Sequence, residues 1–256
     1  RYGSQYQESL NSAQVSLFGE AVEEDLPDLP FPLCEPMGNI EELKREKDYI
    51  GFYLSGHPLD TYKVEMKYFC NTTLKELNTD LAKYANRNVT FAGIITTPAA
   101  PDRMTKNGKP FGIFILEDFD DHMEFAQFGE DFIKIKEYVI DNGAFLLIKA
   151  NIAPRRWGNG DQLEVKITGI SLLSEALEKM SKDIHVKVPV ENINPELTQS
   201  LQHLMEIHSG ECSIDFTIFD TADGISVNLP SRRKRVNPVH FVRALSKLDG
   251  IDFTLK

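Results

Sequence analysis

The spacing of apolar residues divides the chain into four segments. Residues 1–39 have few periodic apolar positions and combine an acidic run with four prolines, a pattern typical of an extended linker. Residues 40–87 have helical spacing, and acidic residues in the first turns favour a helix that begins near Ile40. One face of this predicted helix comprises Ile40, Leu43, Lys47, Ile50 and Leu54. A stop at 55–58 and a second helical stretch, through Leu74, Leu77, Leu81 and Tyr84, complete the segment.

From residue 88 the spacing of apolar residues changes to two, which predicts β-strands. The predicted strands span 89–95, 111–116, 123–128, 145–152 and 163–170. A helix over 130–140, ended by Asn142-Gly143, separates the third strand from the fourth. Three strands, a helix and two strands within 88–175 is the element order of an OB-fold, a five-stranded Greek-key barrel.

The last segment, 183–256, contains two similar helices among four strands. Both predicted helices begin at an Asn-Pro pair and end at a glycine, because asparagine caps the first N–H groups and proline suits the first turn. The strands span 184–190, 214–219, 225–229 and 251–255, and the helices span 195–210 and 238–250. This β-α-β-β-α-β order is typical of a ferredoxin-like sandwich, or split βαβ. The sequence therefore predicts a mixed fold: a helical N-terminal segment, an all-β five-stranded OB-fold barrel and a small α+β domain.

Composition limits the class of protein. The chain has 256 residues, of which 41% are hydrophobic and 26% charged, so it is too apolar for general disorder and long enough for two packed domains. No apolar stretch approaches the roughly 18 residues that span a bilayer, and no basic-then-apolar leader begins at Arg1, so we expect no membrane association. Cys34, Cys70 and Cys212 are isolated in sequence. This argues against a disulfide framework or a zinc ribbon and favours a reducing, cytoplasmic compartment.

The formal net charge of −11 argues against nucleic-acid binding through overall electrostatics, but the charges are unevenly placed. Residues 1–60 carry four Lys or Arg and twelve Asp or Glu, which accounts for −8 of the total. Residues 89–173 carry nine Lys or Arg and twelve Asp or Glu, and the basic residues gather at two places. These are Arg103, Lys106 and Lys109 before the second strand, and Lys149, Arg155 and Arg156 in and after the fourth.

In an OB-fold these two loops flank one face, where single strands bind by phosphate contacts and base stacking. The candidate stacking residues are Phe111, Phe114 and Trp157, each worth roughly 1–3 kcal/mol per base if it is used in this way. Two interpretations stay open. Either these aromatic side chains form the binding face, or Phe111 and Phe114 belong to the core and Trp157 covers a loop.

The sequence contains no recognisable catalytic centre, since it lacks a Gly-rich phosphate loop, a Gly-x-Ser-x-Gly elbow and a His-Glu-x-x-His helix. Asp118, Asp120 and Asp121 could suggest a metal site, but an acidic hairpin turn between two strands explains them better. The basic run 231–235 is either a nucleic-acid patch or a solvated loop, and we favour the loop. We therefore expect no cofactor and no metal ion in this chain.

The acidic linker contains one short apolar island, Gln14-Val15-Ser16-Leu17-Phe18. An adjacent Leu-Phe pair within an extended polar segment can fill an apolar pocket of a partner while the glutamine fixes its orientation by hydrogen bonds. The alternative is that the pair packs against the helical segment as a small satellite of the core.

Taken in order, these features resemble a known family. The island, a long specific string and the predicted barrel are similar to the C-terminal third of the bacterial replicative DNA polymerase III alpha subunit. The string is Gly51-Phe52-Tyr53-Leu54-Ser55-Gly56-His57-Pro58-Leu59-Asp60. Residues 103–109 and 154–157 also fit the barrel region of that family, so the resemblance covers almost the whole chain.

The resemblance implies three binding roles. In that family a Gln-x-Ser/Asp-Leu-Phe peptide binds the sliding clamp, the barrel binds single-stranded template DNA, and the C-terminal domain binds the tau subunit of the clamp loader. Carried across by position, the clamp contacts are Gln14, Ser16, Leu17 and Phe18, with Val15 standing where leucine is common.

The resemblance also places residues 40–87 at the end of the fingers and duplex-binding region, and the family's polymerase aspartates and divalent metal ions upstream of Arg1. It therefore implies that nucleotidyl transfer belongs to the parent enzyme and that this part is a non-catalytic monomer. The alternative is an OB-fold spacer or protein-interaction module without DNA contact, which the low positive charge of the barrel favours.

Overall fold

The computed structural model describes residues 37–154 and 162–256. Its N-terminal part is helical, as predicted, and begins with α1 (Asn39–Ile50). A 3-10 turn (Pro58–Tyr62), α2 (Lys63–Phe69), α3 (Leu74–Thr79) and a second 3-10 turn (Leu81–Tyr84) follow. Among the helices of these described ranges, none is both long and apolar enough to cross a membrane.

Two predicted helices are shorter than expected. The first ends at Ile50 and does not reach Leu54, because Gly51 adopts the left-handed conformation (φ 96°) and donates its N–H to the carbonyl of Lys47. The second predicted stretch breaks at Asp80, whose carboxylate accepts a backbone N–H at 3.2 Å and so starts the 3-10 turn. The helical spacing is present in both places, but a capping residue ends the hydrogen-bond ladder early.

Five antiparallel strands form the second part of the fold. They are β1 (Asn88–Thr97), β2 (Phe111–Glu117), β3 (His122–Phe128), β4 (Phe145–Pro154) and β5 (Leu163–Leu172), with α4 (Gly129–Val139) between β3 and β4. The sheet order is β3-β2-β1-β4-β5. In the described residues β3 and β5 are the outer strands, and α4 packs against both. The order of elements along the chain is that expected of an OB-like domain, and closure of the sheet into a barrel stays a prediction.

Three phenylalanine rings form the centre of the OB-like core. Phe125 of β3 stacks on Phe91 of β1 and on Phe114 of β2, with ring centroids 5.7 and 5.3 Å apart. All three side chains are at most 4% exposed. Helix α4 adds the inward residues that its spacing predicts, Phe132, Ile135 and Val139. The core of the domain therefore lies between the sheet and this helix.

One glycine allows α4 to approach the sheet closely. A Cβ atom placed on Gly112 of β2 would lie 2.2 Å from the nearest ring carbon of Phe132. The Phe132 ring is fully buried, so it has no open space into which it could move. The helix therefore packs directly on the backbone of β2.

We expect Gly112→Ala to destabilise the protein by about 1–3 kcal/mol, because the added methyl group would overlap the Phe132 ring. Chemical denaturation, with midpoint and m-value, measures the change. Gly169→Ala on β5 is the matched control, since a Cβ there would meet nothing within 4 Å, and its stability should stay within about 1 kcal/mol of the wild type. Equal losses in the two variants would contradict the packing argument.

The C-terminal part is a four-stranded sheet with two helices, preceded by α5 (Ala176–Met180). Its elements are β6 (Asp183–Pro189), α6 (Pro195–Ile207), β7 (Ser209–Phe219), β8 (Ser226–Val236), α7 (Pro238–Leu245) and β9 (Asp252–Leu255). Both helices begin at the predicted caps. The amide oxygen of Asn194 accepts the N–H of Leu197 at 2.8 Å, and that of Asn237 accepts the N–H of Val239 at 3.1 Å. The predicted β-α-β-β-α-β element order is confirmed.

The order of strands within this sheet corrects the predicted ferredoxin-like sandwich. In a split βαβ a further strand separates the two parallel strands. Here β6 and β7 pair directly and in parallel, and the order is β8-β7-β6-β9. The hairpin through 220–225 places β8 on the outer side of β7. The order of elements along the chain does not specify the side on which a hairpin strand pairs, so apolar spacing could not distinguish the two topologies.

The basic run 231–235 was expected in a loop and lies within the bounds of β8. Residues 231–234 fall in an irregularity of the β7–β8 register, because Asp215 pairs with Pro230 and Ser213 pairs with Arg235. Arginine and lysine are compatible with a strand at this position because β8 lies at the edge of the sheet and most of its described side chains are exposed.

Helix α2 joins the OB-like domain to the C-terminal domain. Val64 and Tyr68 lie one turn apart and pack on the C-terminal core, where the Tyr68 hydroxyl donates to the carbonyl of Phe253. Met66 belongs to a separate apolar cluster that includes Ala92 of β1 in the OB-like sheet. Helix α2 therefore has apolar contacts with both domains.

A carboxylate is buried at this joint. Glu65 on α2 is 1% exposed, and its Oε1 atom lies 3.7 Å from the guanidinium of Arg243 on α7, too far for a hydrogen bond. Burial raises the pKa of Glu65 above its usual value, and the positive charge of Arg243 offsets this only in part. The ionised form of Glu65 is therefore disfavoured in the folded protein.

Because the folded state holds the Glu65 proton more tightly than the unfolded state, this residue lowers the free energy of unfolding as the pH rises from the ordinary carboxyl pKa to the raised pKa. Above the raised value there is no further loss. We therefore expect Glu65→Gln to gain stability relative to the wild type as the pH is raised from about 4.5 to 7.

Chemical denaturation at each pH measures this stability difference. Glu191→Gln, at an exposed position, is the control and should show no comparable trend. A difference for Glu65→Gln that is constant with pH would mean that attraction by Arg243 balances the cost of burial. A difference that falls as the pH rises would mean that the attraction outweighs it.

Candidate nucleic-acid interface

The connection between β1 and β2 folds as a hairpin with an exposed basic tip. The N–H of Phe111 donates to the carbonyl of Arg103 at 3.0 Å, and the N–H of Thr105 donates to the carbonyl of Lys109 at 2.8 Å. The tip of the hairpin turns at Asn107-Gly108, where Gly108 has a positive φ of 73°. All three basic residues of the hairpin, Arg103, Lys106 and Lys109, are exposed. The hairpin therefore presents three positive charges to solvent.

Next to this hairpin lies a row of one guanidinium group and two aromatic rings. The Cζ atom of Arg103 is 5.7 Å from the ring centroid of Phe111, within the usual range of a cation–π contact. Phe111 pairs in register with Phe128 of β3, and their rings stack with centroids 5.7 Å apart and planes 15° apart. Phe128 is 55% exposed and Phe111 is half-buried. This aromatic row is a surface on which a planar base could stack.

Phe128 is part of this row, although it was not among the predicted stacking residues. The signal was available, because side chains of a strand alternate between faces and Phe128 lies three residues after the buried Phe125. An odd spacing puts the two rings on opposite faces. A phenylalanine on the outer face, at the strand end that pairs with Phe111, identifies the position.

Phe114 is a core residue, so of the three predicted stacking residues it follows the core interpretation. Its side chain is 0% exposed and stacks on Phe125 inside the OB-like domain. The physical reason is again the period of the strand: Phe111 and Phe114 are three residues apart and face opposite ways.

The structure does not bring Lys149 together with the basic hairpin. Lys149 is exposed on β4 and pairs in register with Thr90, whereas β1 pairs with β2 only between Ile94 and Thr97. Thr90 and Thr97 are separated by roughly 23 Å along the strand at about 3.3 Å per residue. Lys149 therefore lies towards the other end of β1 from the basic hairpin, and its place on the binding face stays a prediction.

Several predicted contacts lie outside the described residues. They are Arg155, Arg156 and Trp157 in the loop between β4 and β5, and Gln14, Ser16, Leu17 and Phe18 in the linker. The interface that the structure does describe consists of the hairpin and the aromatic row.

The acidic residues between β2 and β3 form a turn, as the favoured interpretation predicts. Asp118 is 4% exposed, and its Oδ1 atom accepts the N–H groups of Asp120 and Asp121 at 2.9 Å each. Its Oδ2 atom accepts the N–H of Leu74 at 2.7 Å, which attaches α3 to the turn. Within the described ranges, no group of three His, Cys, Asp or Glu side chains could hold a metal ion.

The long matching string has a structural role in the connection between α1 and α2. Glu46 accepts hydrogen bonds from the hydroxyl and the N–H of Ser55, and these bonds lower the pKa of Glu46. Further along, His57 caps the 3-10 turn: its Nδ1 atom accepts the N–H of Leu59 at 3.1 Å, while Asp60 accepts the N–H of His57 at 2.7 Å. These bonds explain the polar positions of the string without a ligand.

The class of protein that these features define is an OB-like domain with an exposed basic and aromatic surface, joined to a small α/β domain. Residues 184–256 match the family model of the DNA polymerase III alpha subunit, C-terminal domain. The match covers the whole of the C-terminal sheet described above, from β6 to β9, apart from its first residue.

Curated relatives extend this likeness to almost the whole chain. The DNA polymerase III subunit alpha of Pseudomonas aeruginosa is 26% identical over 247 residues, which is 95% of this chain and 20% of that protein. The corresponding subunit of Borreliella burgdorferi is 24% identical over 245 residues, 93% of this chain and 20% of that protein. The resemblance to the C-terminal region of the DNA polymerase III alpha subunit is thereby confirmed. The chain spans about a fifth of the length of these relatives.

Remote likenesses to solved structures also occur. The second OB-fold domain of replication protein A from Methanococcus maripaludis is 13% identical, with a TM-score of 0.23, over 34% of this chain and 85% of that chain. The mitochondrial single-stranded DNA binding protein Rim1 of Saccharomyces cerevisiae is 18% identical, with a TM-score of 0.24, over 34% of this chain and 91% of that chain. TM-scores of this size do not bear on the fold or function of this chain.

Proposed function

We propose that this chain is the non-catalytic C-terminal part of a replicative DNA polymerase III alpha subunit, and that its OB-like domain binds single-stranded DNA. The observation that carries the DNA-binding proposal is the exposed row of Arg103, Phe111 and Phe128 beside a basic hairpin. Polymerase activity, with its divalent metal ions, belongs in this proposal to the preceding part of the parent enzyme. The site of action is the bacterial cytoplasm, where the chromosome is replicated.

The two kinds of side chain have separate tasks in this proposal. The hairpin cations contact phosphates, which supplies affinity that depends on salt but not on sequence. The Phe111 and Phe128 rings stack on bases, and every base has a planar face on which to stack. The domain therefore binds template strands of any sequence, as a replicative enzyme requires.

We expect Phe128→Ala to weaken binding of oligo-dT by roughly five- to 150-fold, the range that corresponds to the loss of one stacked base. Fluorescence anisotropy with a labelled oligonucleotide measures the affinity, and the affinity of the wild type should fall steeply with added salt. Phe52→Ala is the matched control, because Phe52 is 57% exposed but lies outside the row. Equal affinities of the two variants would remove the aromatic row from the interface.

A spacer or protein-interaction module without DNA contact is the second candidate function. It is favoured by Glu124, an exposed carboxylate on β3 that pairs with Ile115 on the outer face. Trp157 is the single tryptophan of the chain and lies in the second predicted loop, so its fluorescence reports on that loop. No change in this fluorescence with oligo-dT, together with an affinity that does not vary with salt, would favour the spacer. Loss of affinity in Arg155→Ala with Arg156→Ala would favour DNA binding.

We also propose that the linker peptide binds the sliding clamp through Gln14, Ser16, Leu17 and Phe18. The support is the sequence match and the chemistry of the peptide, in which two adjacent apolar side chains fill a pocket. Binding of the clamp would keep the polymerase on DNA while the OB-like domain contacts the template.

Leu17→Ala with Phe18→Ala is expected to abolish binding of purified sliding clamp in surface plasmon resonance, since both apolar anchors are removed. Phe31→Ala with Leu33→Ala removes a similar pair from the same linker and should leave the affinity unchanged. Clamp affinity that survives the first double substitution would show that another segment binds the clamp.

The C-terminal domain completes the proposal as the binding domain for the tau subunit of the clamp loader. The support is the family match over 184–256, which lies on this domain and not on the OB-like domain. The chain would thus act as a monomer that connects clamp, template strand and clamp loader.

A further inference from the structure

The outer strand of the C-terminal sheet has a short unprotected edge. Within β8, residues 226–230 pair in regular register with β7, and 231–234 lie in an irregularity before Arg235. Within the described residues the other side of 226–229 carries backbone N–H and C=O groups without a strand partner. Edge strands are usually short or protected by lysine or proline. Pro230 and the basic run 231–235 protect the second half of β8, whereas 226–229 contains neither proline nor charge.

Two rows of apolar side chains run across the sheet and end at this unprotected half. The rows are Val186–Phe216–Leu229 and Val188–Ile218–Val227. Exposure increases along both: Val186 and Val188 are 0% and 4% exposed, and Leu229 and Val227 are 46% and 51% exposed. The apolar layer beneath the helices therefore continues to the edge of the sheet, where it is uncovered in the described structure.

A basic tract follows the apolar positions on the same strand. Lys234 forms an ion pair with Glu206 at 3.3 Å, and Arg235 donates to the carbonyl of Glu211 at 3.3 Å. Arg232 is exposed and has no carboxylate partner in the part of the chain that the structure describes. Along its length β8 thus offers an open backbone edge, an apolar stripe and then positive charge.

From these three features we infer that the β8 edge is a docking site for an extended acidic peptide of a partner protein, which adds to the sheet as a fifth strand. Backbone hydrogen bonds form along 226–229, apolar side chains of the peptide pack on Val227 and Leu229, and its acidic residues face the basic tract. Main-chain bonds supply affinity in this mode of binding, and the alternate side chains and the charge supply specificity.

A second copy of this chain fits the same edge less well. Two β8 strands paired antiparallel about Asn228 would include Pro230, which has no N–H for the ladder. The two basic tracts would extend past the pairing at either end, with no negative charge opposite them. An acidic peptide can pair with the backbone of 226–229 and place its carboxylates near the basic tract that follows.

The test uses the full chain and purified tau subunit. This choice of probe rests on the proposed binding of tau by the C-terminal domain. We expect Val227→Lys with Leu229→Lys to weaken tau binding at least tenfold in calorimetry, because both substitutions replace exposed apolar contacts with charge. Ile133→Lys on α4 is the matched control at a similarly exposed isoleucine (59%), and it should bind tau as the wild type does. Arg232→Glu tests the charge without altering the apolar stripe and should weaken binding as well.

Amide hydrogen exchange of the complex locates the site independently, and protection of 226–229 is the expected result. Full tau affinity in the double lysine variant, or protection confined to other segments, would overturn the inference while leaving the proposed tau binding intact. Self-association of the wild type that the double variant abolishes, with no effect on tau, would assign the edge to a second copy and overturn it too.

If the wild type does not bind tau, the proposed partner is wrong and the docking site is tested separately. The probe is then a synthetic peptide of alternating valine and glutamate. Protection of the 226–229 amides by this peptide, weaker in Arg232→Glu, supports the site. Absence of protection overturns it.

Discussion

Burial of apolar side chains on two sides of α2 holds the two domains together. A helix of seven residues is far too short to be stable alone in water, because helix nucleation costs more than so few hydrogen bonds return. Its helical state therefore depends on the OB-like domain, which Met66 contacts, and on the C-terminal domain, which Val64 and Tyr68 contact. Helix α5 contributes to the same joint, since Ala176 belongs to the cluster with Ala92 and Leu177 belongs to the C-terminal core. The same apolar contacts thus stabilise the joint and fix the relative position of the two domains.

The buried Glu65 lies within this dependence. A carboxylate that is disfavoured in its ionised form reduces the stability of the contact that surrounds it. The apolar contacts of α2 therefore stabilise the joint, and the buried Glu65 carboxyl lowers that stability as the group ionises. The apolar spacing of α2 does not predict the burial of Glu65, because a glutamate at that position is also compatible with a solvent-exposed helix face.

The sequence predicted helices and strands correctly where the periodic spacing of apolar residues was long and where capping or turn residues marked its ends. The five strands of the OB-like domain, α4 and the two Asn-Pro helices lie close to their predicted bounds. Strand order in the C-terminal sheet did not follow, because it depends on which side of β7 accepts the returning strand. In the candidate site the three basic residues before β2 were predicted in a loop, which the structure shows to be a hairpin. Phe114 lies in the core, and Phe128 was missed. Both errors concern the faces of strands, which require the register as well as the period.

The formal charge overstates the repulsion that a nucleic acid would meet at this surface. Several carboxylates near the OB-like face are engaged within the protein: Asp118 accepts three backbone N–H groups, and Glu117 forms an ion pair with Lys47. The basic side chains of the hairpin point to solvent by comparison. A formal charge count gives equal weight to a carboxylate that is hydrogen-bonded within the protein and to an exposed basic side chain. A phosphate group would interact more strongly with the exposed side chain.

The aromatic row depends on a turn at the opposite end of its own hairpin. Phe111 and Phe128 stack because β2 and β3 pair in one register, and the bonds of the buried Asp118 carboxylate shape the turn that joins them. A slip of one residue would exchange the two faces of β3, carrying the core ring of Phe125 into solvent and Phe128 into the interior. Asp118 lies seven residues from Phe111, roughly 23 Å along the strand at about 3.3 Å per residue, yet its hydrogen bonds help to set the register that forms the aromatic row. Among related chains, the length of this turn should be conserved more strictly than its charge.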